Sequence, residues 1–442
     1  MKILIVGNGG REHAIARKIY DSDSFLCGQS HIFTTKGSPG LDKFSTPVDI
    51  SPGDVIAIAD FAATEGIDFT VVGPEIPLSL GIVDEFHKRG FKIFGPTQAA
   101  AQIESSKIFS KDLMQSNGIP TAKYKSFSVN NINTAYSYLK SCVYPVVLKA
   151  DGLAAGKGVI IAENESQAVR TVKEFTEYKM FGNAGESFVI EEYLTGFEVS
   201  VFAVTDGNNF VVLPYSQDHK KIGENDTGKN TGGMGAYAPA NPLVTDKTKE
   251  MIIAGIIKPT LNALTGKGIR YSGCLYLGLM ICAGADGGQE PYLIEYNCRF
   301  GDPETQAVLP IIKSDFLELL LASAEGTINN YKAVFRDAHC CCVVLASGGY
   351  PDNFGVNKVI SGIEEAEKNC LVFHSGTGYS TDKSEIVTTG GRVLSVTGES
   401  NVSMTDAVKS AYKSVAEIKF DCMYYRSDIG AKFSELISGK NN

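Results

Sequence analysis

The stretch VVLKADGLAAGKGVII, residues 146–161, determines the fold of this chain more than any other. An apolar run at each end predicts a β-strand, and three glycines and two lysines lie between these runs. Glycine lets backbone N–H groups approach a ligand closely, and lysine supplies a point positive charge. A P-loop follows the pattern GxxxxGK[ST] and leads into a helix, whereas here Gly152 and Gly156 are closer together and a strand follows. We therefore predict a hairpin flap over the phosphates of ATP; a surface hairpin with an incidental glycine cluster is the alternative.

Length and charge limit the class of protein. The 442 residues allow roughly three domains, and 43% hydrophobic with 21% charged residues is ordinary for a globular protein. A net charge of −9 without a basic run argues against nucleic acid as a partner. We expect no signal peptide and no membrane partner, because no apolar stretch reaches the length of a membrane span.

Ten cysteines are present, but none forms a CxxC pair with metal-binding spacing. Cys340, Cys341 and Cys342 are consecutive, and neighbouring residues of a strand point to opposite faces, so the three cannot converge on one metal ion. We interpret them as reduced cysteines in a buried strand. So many cysteines without a signal peptide fit a reducing, cytoplasmic location.

The first hundred residues alternate between strand-like and helical runs. Strands are predicted at 2–6, 31–35, 67–72 and 91–94, and helices at 12–20, 54–65 and 80–89. This alternation predicts an α/β domain with a Rossmann-like parallel sheet covered by helices on both faces. Ligands bind beyond the carboxyl ends of such strands, where the turns GNGGRE (7–12), GPE (73–75) and GPT (95–97) fall.

The first of these turns invites a dinucleotide reading, which we reject. Glu12 stands where the third glycine of GxGxxG belongs, and the second strand ends in Thr35-Lys36 rather than in an acid. A single phosphate held by the amides of Gly9 and Gly10 and by the following helix N-terminus fits better. From the turn alone, a tight turn that binds no ligand is an equally good interpretation.

The pattern changes from about residue 103, and an α+β organisation follows. A helix with Lys107 precedes the flap hairpin, and strands are predicted at 188–194, 198–204, 273–281 and 291–297, with a helix at 246–264. A polar, glycine-rich loop of about thirty residues, 215–241, is long enough to be functional or disordered. Beyond residue 330 we predict a small mixed unit with strands at 341–346, 371–375 and 392–397 and a helix at 404–419. The expected domains are therefore 1–102, 103–330 with a flap subdomain at about 122–190, and 331–442.

The run LIEYNCRFGDPETQ, residues 293–306, is the strongest candidate for a metal site. Glu295 and Asn297 are two apart on a strand and share a face, where a carboxylate and an amide oxygen suit Mg²⁺. Arg299 falls on the same face if the strand continues, and its fork can hold a phosphate or an acyl phosphate oxygen. An exposed polar strand face is the bland alternative.

A third element carries weaker evidence. The predicted strand that ends in Glu191, Glu192 and Leu194 can offer backbone groups to an adenine edge, and Glu198 can accept hydrogen bonds from ribose hydroxyls. Paired glutamates at a strand end are more often simply solvated. His219 receives no role as a base, because an amine attacking an activated acyl group needs no strong base.

The three elements in this order resemble the ATP-grasp fold, and longer motifs resemble the glycinamide ribonucleotide synthetase (phosphoribosylamine–glycine ligase) family over nearly the whole chain. The motifs are GNGGREHA (7–14), GPEIPLSLG (73–81), LKADGLAAGKGV (148–159), SQDHKK with NTGGMGAY (216–237) and NCRFGDPETQ (297–306). The resemblance implies that ATP, glycine and 5-phosphoribosylamine give glycinamide ribonucleotide, ADP and phosphate through glycyl phosphate, in de novo purine biosynthesis. It also implies a Mg²⁺ or Mn²⁺ cofactor, and we expect a monomer or weak dimer.

The resemblance assigns roles residue by residue. Catalytic roles fall to Arg299 and Lys157, and metal binding falls to Glu295 and Asn297. ATP binding is implied for Lys107, Lys149, Gly156, Lys157, Gly158, Glu191, Glu192, Leu194 and Glu198. Substrate binding is implied for Asn8, Gly9, Gly10, Gly73, Pro74, Glu75, Asp218, Lys220, Gly233, Met234 and Arg299.

Some positions depart from the family pattern. The turn after the second strand reads KGSPG (36–40) rather than a PGN-like turn, Lys229 stands where a proline is common, and Lys432 takes the place of a terminal arginine. We expect no fused downstream purine enzyme.

Three competing functions remain at this point. Another ATP-grasp carboxylate–amine ligase is opposed by the turn at 7–10 and by NTGGMGAY. A nucleotide-binding regulator without turnover is opposed by the retention of Glu295, Asn297 and the flap lysines. A NAD oxidoreductase is opposed by the missing third glycine and the missing acid.

Overall fold

A five-stranded parallel sheet organises the first part of the chain. The computed structural model describes residues 1–153, 158–431 and 433. The strands are β1 (Lys2–Val6), β2 (His31–Thr35), β3 (Thr46–Val48), β4 (Phe69–Val72) and β5 (Ile93–Phe94), and the helices are α1 (Gly10–Tyr20), α2 (Asp23–Leu26), α3 (Val55–Glu65), α4 (Glu75–Ser79) and α5 (Ile82–Lys88). The strand order is β3-β2-β1-β4-β5. The predicted doubly covered parallel sheet is confirmed, and β3 is a strand that the sequence pattern missed.

The flap is a separate small layer with its own core. Two helices, α6 (Gln98–Ser105) and α7 (Lys107–Ser116), lead into β6 (Tyr124–Ser128), α8 (Ile132–Leu139), β7 (Val146–Ala150), β8 (Val159–Ala162), α9 (Glu165–Thr176) and β9 (Ser187–Glu192). The strands form an antiparallel sheet in the order β6-β9-β7-β8. Leu148, Phe175 and Phe188 are fully buried in its core. The predicted strand–glycine loop–strand arrangement therefore holds for β7 and β8.

A second antiparallel sheet faces the flap. It has the order β11-β10-β16-β17. Its strands and the neighbouring elements are β10 (Gly196–Thr205), β11 (Phe210–Val212), β12 (Gln217–Asp218), β13 (Lys221–Gly223), β14 (Thr227–Asn230), β15 (Gly235–Ala238), α10 (Asp246–Ile252), α11 (Lys258–Gly266), β16 (Gly273–Ala283), β17 (Gln289–Asn297), α12 (Glu304–Val308) and α13 (Phe316–Glu325).

Two expectations for this part were wrong in detail. The supposed loop at 215–241 contains four short strands, β12 to β15, because strands of only two to four residues are too short to show an alternating apolar pattern. The expected single helix at 246–264 is divided by a π-helical stretch, Ile253–Ile257. Such π-helical stretches are short interruptions of α-helices that apolar periodicity does not reveal.

The last part of the chain completes a sheet that begins much earlier in the sequence. Its elements are β18 (His339–Ser347), α14 (Ile363–Glu367), β19 (Leu371–His374), β20 (Thr377–Tyr379), β21 (Ile386–Thr388), β22 (Arg392–Ser400), α15 (Met404–Val415) and β23 (Met423–Tyr424). The sheet has the order β12-β15-β18-β22-β19, and β23 also pairs with β18. Cys340, Cys341 and Cys342 lie fully buried on β18, and all ten cysteines are free thiols. Within the described ranges, no helix is long and apolar enough to span a membrane.

Two buried histidines join the first and last parts of the chain. The backbone N–H of His374 donates to Nδ1 of His13 over 3.0 Å, and His374 Nδ1 is 3.0 Å from the Thr377 hydroxyl. Burial lowers the pKa of His13 well below its usual value, and burial together with Lys43 lowers that of His374 to about 3. Both rings are therefore neutral at pH 7, which fits a structural role.

Candidate active site

A deep cleft lies between the flap and the sheet that contains β17. It consists of two adjoining cavities of about 370 and 590 Å³. Both cavities are lined by Lys149, Val159, Glu191, Asp218, Lys220, Thr231, Ile294 and Glu295. The smaller one continues toward Arg11, Pro74, Glu75, Arg299 and Arg392, and the larger one continues along Glu192, Leu194, Glu198 and Asn230.

Helix α7 presents two lysines to the cleft. The Ser106 hydroxyl caps the helix by accepting from the N–H of Phe109, so Lys107 begins it and Lys111 follows one turn later. Lys107 Nζ donates to the carbonyl oxygen of Gly152 over 2.9 Å, which holds the start of the flap loop. The sequence interpretation missed Lys111, although its spacing of four residues from Lys107 places both on one helix face.

Glu191 lies between two buried lysines. Its Oε2 is 3.0 Å from Nζ of Lys111 and 3.0 Å from Nζ of Lys149, and all three side chains are almost fully buried. Burial lowers the pKa of Lys111 to about 8 although Glu191 opposes the shift. The Glu191 carboxylate is therefore committed to the two lysines, and the predicted contact of its backbone with an adenine edge stays a prediction.

We expect Glu191→Gln to lower the free energy of unfolding at pH 7 by about 3 kcal/mol, because two buried ammonium groups lose their partner. The amide has nearly the same volume, so the loss reflects charge rather than packing. Urea denaturation checks this result. Glu192→Gln is the matched control, since that neighbouring carboxylate is only half-buried and accepts from the N–H of Lys123. Equal stability of the two variants would contradict the expectation.

The metal candidates lie at the end of β17. Glu295 pairs with Gly278 and Asn297 with Tyr276 across the ladder, after a register shift between Leu293 and Glu295. Both side chains line the smaller cavity from one strand face. Burial opposes the charge of Glu295, but the ammonium groups of Lys220 and its neighbours outweigh it and lower the pKa, so Glu295 is a carboxylate.

Arg299 does not continue this strand, so the expectation that it shares the strand face is wrong. The strand ends at Asn297, because the next N–H, that of Cys298, donates to Glu104 Oε2. Arg299 still reaches the cleft, where its guanidinium lies 3.2 Å from Glu75 Oε2 and 2.8 Å from Glu104 Oε1. Glu104 is a residue that sequence reasoning missed, since only the fold brings it to residue 299.

The pKa values of the two carboxylates around Arg299 are shifted in opposite directions. Burial opposes the charge of Glu75, but Arg299 and Arg11 outweigh it and lower its pKa to about 2. Burial dominates at Glu104 and raises its pKa although Arg299 opposes the shift. Arg299 therefore forms ion pairs that join the segment after β17 to α4 of the first domain and to α6.

Lys220 is surrounded by carboxylates. Its Nζ lies 2.7 Å from Glu198, 3.9 Å from Asp218 and 4.0 Å from Glu295. Burial raises the pKa of Asp218 to about 8, and the nearby Glu304 adds to this although Lys220 opposes it. Glu198 is thus engaged by Lys220, and the crowding of negative charge favours a further cation here.

The turn at residues 7–10 is organised around Glu12, which the sequence interpretation treated only as a missing glycine. Its Oε2 accepts from the N–H of Gly9 over 2.7 Å, and its Oε1 lies 2.6 Å from Nε of Arg11. A methyl group at Gly73 would collide with the Glu12 carboxylate. Glu12 thus occupies the Gly9 amide, and the expected phosphate contact of that amide stays a prediction.

Other predicted substrate residues occupy different positions. Pro74 and Glu75 line the smaller cavity. The Asn8 amide donates to the carbonyl of Gly37, and Gly10 begins α1. Met234 is fully buried and its N–H donates to the carbonyl of His219, and its contact with substrate stays a prediction.

The NTGGMGAY segment is connected to the last domain by Arg392, a second missed residue. Arg392 Nη1 donates to the carbonyl oxygens of Gly232 and Asp302, and Nη2 lies 3.1 Å from Asp302 Oδ2. The N–H of Gly233 donates to the Thr231 hydroxyl. Arg392 thereby brings a positive charge from β22 into the cleft, at a sequence distance that no local motif reveals.

Three predicted positions concern the flap tip and the chain end. Gly158 lines the smaller cavity, and its carbonyl accepts from the N–H of Ala150. Gly156, Lys157 and Lys432 lie outside the described residues, so their predicted roles stay predictions.

A flap of this kind, closing over lysines opposite an acid–amide strand, is the arrangement of the ATP-grasp ligases, and this is the class of protein that fold and cleft define. The sequence supports a narrower statement. The chain belongs to the phosphoribosylglycinamide synthetase family, whose N domain, ATP-grasp (A) domain and C domain match residues 1–104, 105–305 and 340–432. The family and fold predicted from the motifs are confirmed.

Individual relatives agree with this membership. The phosphoribosylamine–glycine ligase of Chlorobaculum tepidum is 45% identical over 439 residues, 98% of this chain and 100% of that protein. The enzyme of the same name from Escherichia coli K12 is 44% identical over 433 residues, 97% of this chain and 98% of that protein.

Solved structures agree as well. The crystal structure of phosphoribosylamine–glycine ligase from Thermotoga maritima superimposes with a TM-score of 0.82 at 30% identity, covering 97% of this chain and 100% of that one. The biotin carboxylase domain of Hydrogenobacter thermophilus 2-oxoglutarate carboxylase gives a TM-score of 0.70 at 17% identity over 99% and 98% of the chains, a likeness of fold alone.

Proposed function

We propose that the cleft carries out the phosphoribosylamine–glycine ligase reaction of purine biosynthesis, joining glycine to 5-phosphoribosylamine with the conversion of ATP to ADP and phosphate. The observation that carries this proposal is the convergence of flap, lysine helix, β17 and the first-domain turn on one cleft. A carboxylate activated at one end can meet an amine held at the other without leaving the protein.

ATP would occupy the larger cavity and extend its phosphates into the smaller one. Residues 191–194 line the larger cavity, where the base would lie, and Lys149 lines both cavities. Lys107 and Lys149 would neutralise phosphate oxygens. Lys111 would not contact the phosphates but would hold Glu191, which in turn contacts Lys149. Gly156, Lys157 and Gly158 of the flap loop are proposed to cover the phosphates.

A divalent cation fits the oxygen donors at the end of β17. Among the described residues, no group of three or more His, Cys, Asp or Glu is arranged to hold a metal ion. Glu295 and Asn297 would therefore contribute two ligands and leave the remaining positions to nucleotide oxygens and water, which is usual for Mg²⁺. When bound, the cation supplies neutralisation of the charge that develops between the β- and γ-phosphates.

The first step would be attack of a glycine carboxylate oxygen on the γ-phosphorus of ATP. The bond to the ADP oxygen breaks and glycyl phosphate forms. Arg299 lies beside Glu75 and lines the smaller cavity, where its guanidinium would steady the acyl phosphate. Asp218 and Lys220 line the same cavity and would contact glycine.

The second step would join the two halves of the product. The amine of 5-phosphoribosylamine attacks the carbonyl carbon of glycyl phosphate, inorganic phosphate leaves and the amine loses a proton to solvent. Pro74 and Glu75, with Gly10 and Gly73 nearby, would contact the ribose phosphate portion. Closure of the flap would exclude water, which matters because an acyl phosphate hydrolyses readily.

The proposal extends to organisation and location. We keep the domain division at about residues 102 and 330, a cytoplasmic location, and a monomer or weak dimer as proposals. Gel filtration with light scattering tests the last of these.

Phosphate release from ATP and Mg²⁺ tests the reaction, with glycine and freshly generated 5-phosphoribosylamine supplied separately and together. We expect rapid release only when both are present, because the acyl phosphate is discharged by the amine. Release with another acid or amine, and none with this pair, would keep the ATP-grasp chemistry but overturn the substrates.

A further inference from the structure

A segment near the end of the described chain fastens the hairpin that borders the larger cavity. We name residues 424–428 the clamp segment and residues 221–230, which comprise β13, β14 and the turn between them, the border hairpin. Lys221, Asp226 and Asn230 of the border hairpin line the larger cavity. The two segments are about two hundred residues apart in sequence, so their contact is a product of the fold.

Arg426 is the centre of this contact. Its side chain is fully buried, and it forms a fork with Asp428, with Nε and Nη2 each donating over 2.7 Å to one carboxylate oxygen. Its remaining donor, Nη1, reaches the border hairpin at Asp226 Oδ1 over 2.7 Å and at the carbonyl oxygen of Lys221 over 3.0 Å. A buried guanidinium with its donors satisfied in a rigid plane fixes the groups that accept from it.

Neighbouring residues extend the contact along the border hairpin. The Tyr424 hydroxyl donates to the carbonyl of Ile222 over 2.7 Å, and the Asp428 carboxylate accepts from the N–H of Asn225 over 2.8 Å. The Ser427 hydroxyl donates to the Glu224 carboxylate. The clamp segment therefore contacts Glu224, Asn225 and Asp226, the residues of the turn between β13 and β14.

The turn needs to be held because its backbone is strained. Asn225 and Asp226 have φ values of +52° and +53°, in the left-handed region that residues with side chains adopt at a cost. Two consecutive residues of this kind persist only when surrounding groups determine their conformation. Arg426 and Asp428 supply those groups.

The far end of the border hairpin meets the flap. Asn230 Nδ2 donates to the carbonyl of Val159 on β8 over 3.4 Å, and Asn230 pairs with Lys221 across the hairpin. A displacement of the turn would therefore reach flap strand β8 through the Asn230 contact.

We propose that Arg426 is a positioning residue for nucleotide binding, acting through the border hairpin that walls the larger cavity. The proposal rests on the placement of ATP in that cavity. Arg426 does not touch the cavity itself, so its removal is expected to change the affinity for ATP rather than the affinity for glycine or 5-phosphoribosylamine.

The test uses the full-length protein, ATP with Mg²⁺, calorimetry and steady-state kinetics. Arg426→Met should weaken ATP binding and raise the KM for ATP about tenfold, with the KM values for the other two substrates within about twofold. Arg426→Lys keeps the positive charge but not the forked hydrogen bonds, so its KM for ATP should lie between those of the parent protein and Arg426→Met. If Arg426→Met does not fold, Tyr424→Phe replaces it in the same measurements, because it removes the hydroxyl that contacts the border hairpin.

A second substitution separates positioning from general stabilisation. Asn225→Gly, introduced into Arg426→Met, should restore most of the ATP affinity, because glycine adopts the left-handed backbone without strain. Arg336→Met is the control: Arg336 pairs with Glu399 away from the border hairpin, and its loss should lower the melting temperature without changing ATP affinity. Unchanged ATP affinity in Arg426→Met, or failure of Asn225→Gly to restore it, would overturn the proposal.

A third variant tells this proposal from the proposed function. Leu194→Arg narrows the larger cavity and should abolish ATP binding. If it does while Arg426→Met binds ATP normally, only the role of Arg426 fails. If neither variant affects ATP binding, the nucleotide lies elsewhere, and the site assignment fails together with the role of Arg426.

Discussion

Glu295→Ala should lower the turnover number by on the order of a thousandfold, because the divalent cation between the ATP phosphates would lose its only carboxylate ligand from β17. The fold should survive. The Glu295 side chain is one-third exposed and lines the cleft rather than the core, and its nearest cation, Lys220, keeps a closer partner in Glu198. The melting temperature should therefore change little.

The measurement is phosphate release at saturating substrates over a range of Mg²⁺ concentrations, with thermal unfolding alongside. Glu290→Ala is the matched control, since Glu290 lies on the same strand but its carboxylate accepts from Tyr292 outside the cleft. The Glu295 variant should need more Mg²⁺ as well as turning over slowly. Near-normal turnover would remove Glu295 from the metal site.

Arg299→Met should eliminate activity and also destabilise the protein by about 3 kcal/mol, because the buried Glu104 would lose its cationic partner and Glu75 would retain only Arg11. Both carboxylates lie within 3.2 Å of the guanidinium. The variant thus differs from the Glu295 variant, in which stability is retained.

The pH dependence gives this prediction a second readout. In the parent protein the pKa of Glu75 is lowered to about 2, so its contribution is present above its unfolded value of roughly 4.3 and is lost as the pH falls toward 2. Without Arg299, burial should raise the pKa of Glu104 further above the unfolded value, and the pKa of Glu75 should rise from about 2. The folded state would then bind more protons than the unfolded state, and the stability deficit should shrink as the pH is lowered from 7 to 5.

A double variant separates the two effects of losing Arg299. Adding Glu104→Gln to Arg299→Met removes one of the unpaired charges and should recover part of the stability in urea denaturation, but none of the activity. Recovery of activity would show that Arg299 acts only as a structural partner of Glu104.

Sequence patterns were sufficient wherever one strand or helix carries the chemistry. The flap strands, the lysine at the start of α7 and the acid–amide pair of β17 could be predicted because their spacing alone places them on one face. The motifs at residues 216–237 and 297–306 identified the family because each is a continuous run of sequence.

Patterns failed where a residue obtains its partner from a distant segment. Glu191 looks like a strand-end acid, and only the position of α7 makes it the partner of Lys111. Glu12 looks like a replaced glycine, yet it occupies the Gly9 amide. Glu104 and Arg392 reach the cleft from segments with no motif of their own, because their contacts span about ninety to two hundred residues.

The sheet built from β12, β15, β18, β22 and β19 has a consequence for any division of the gene. β15 is fully buried and pairs with β18, although about a hundred residues separate them. Two polypeptides divided near residue 330 would each carry a bare strand edge, one at β15 and the other at β18, and such edges template aggregation. Exchange of the third domain would break the pairing of β15 with β18, so we expect the third domain to be inherited together with the ATP-binding region.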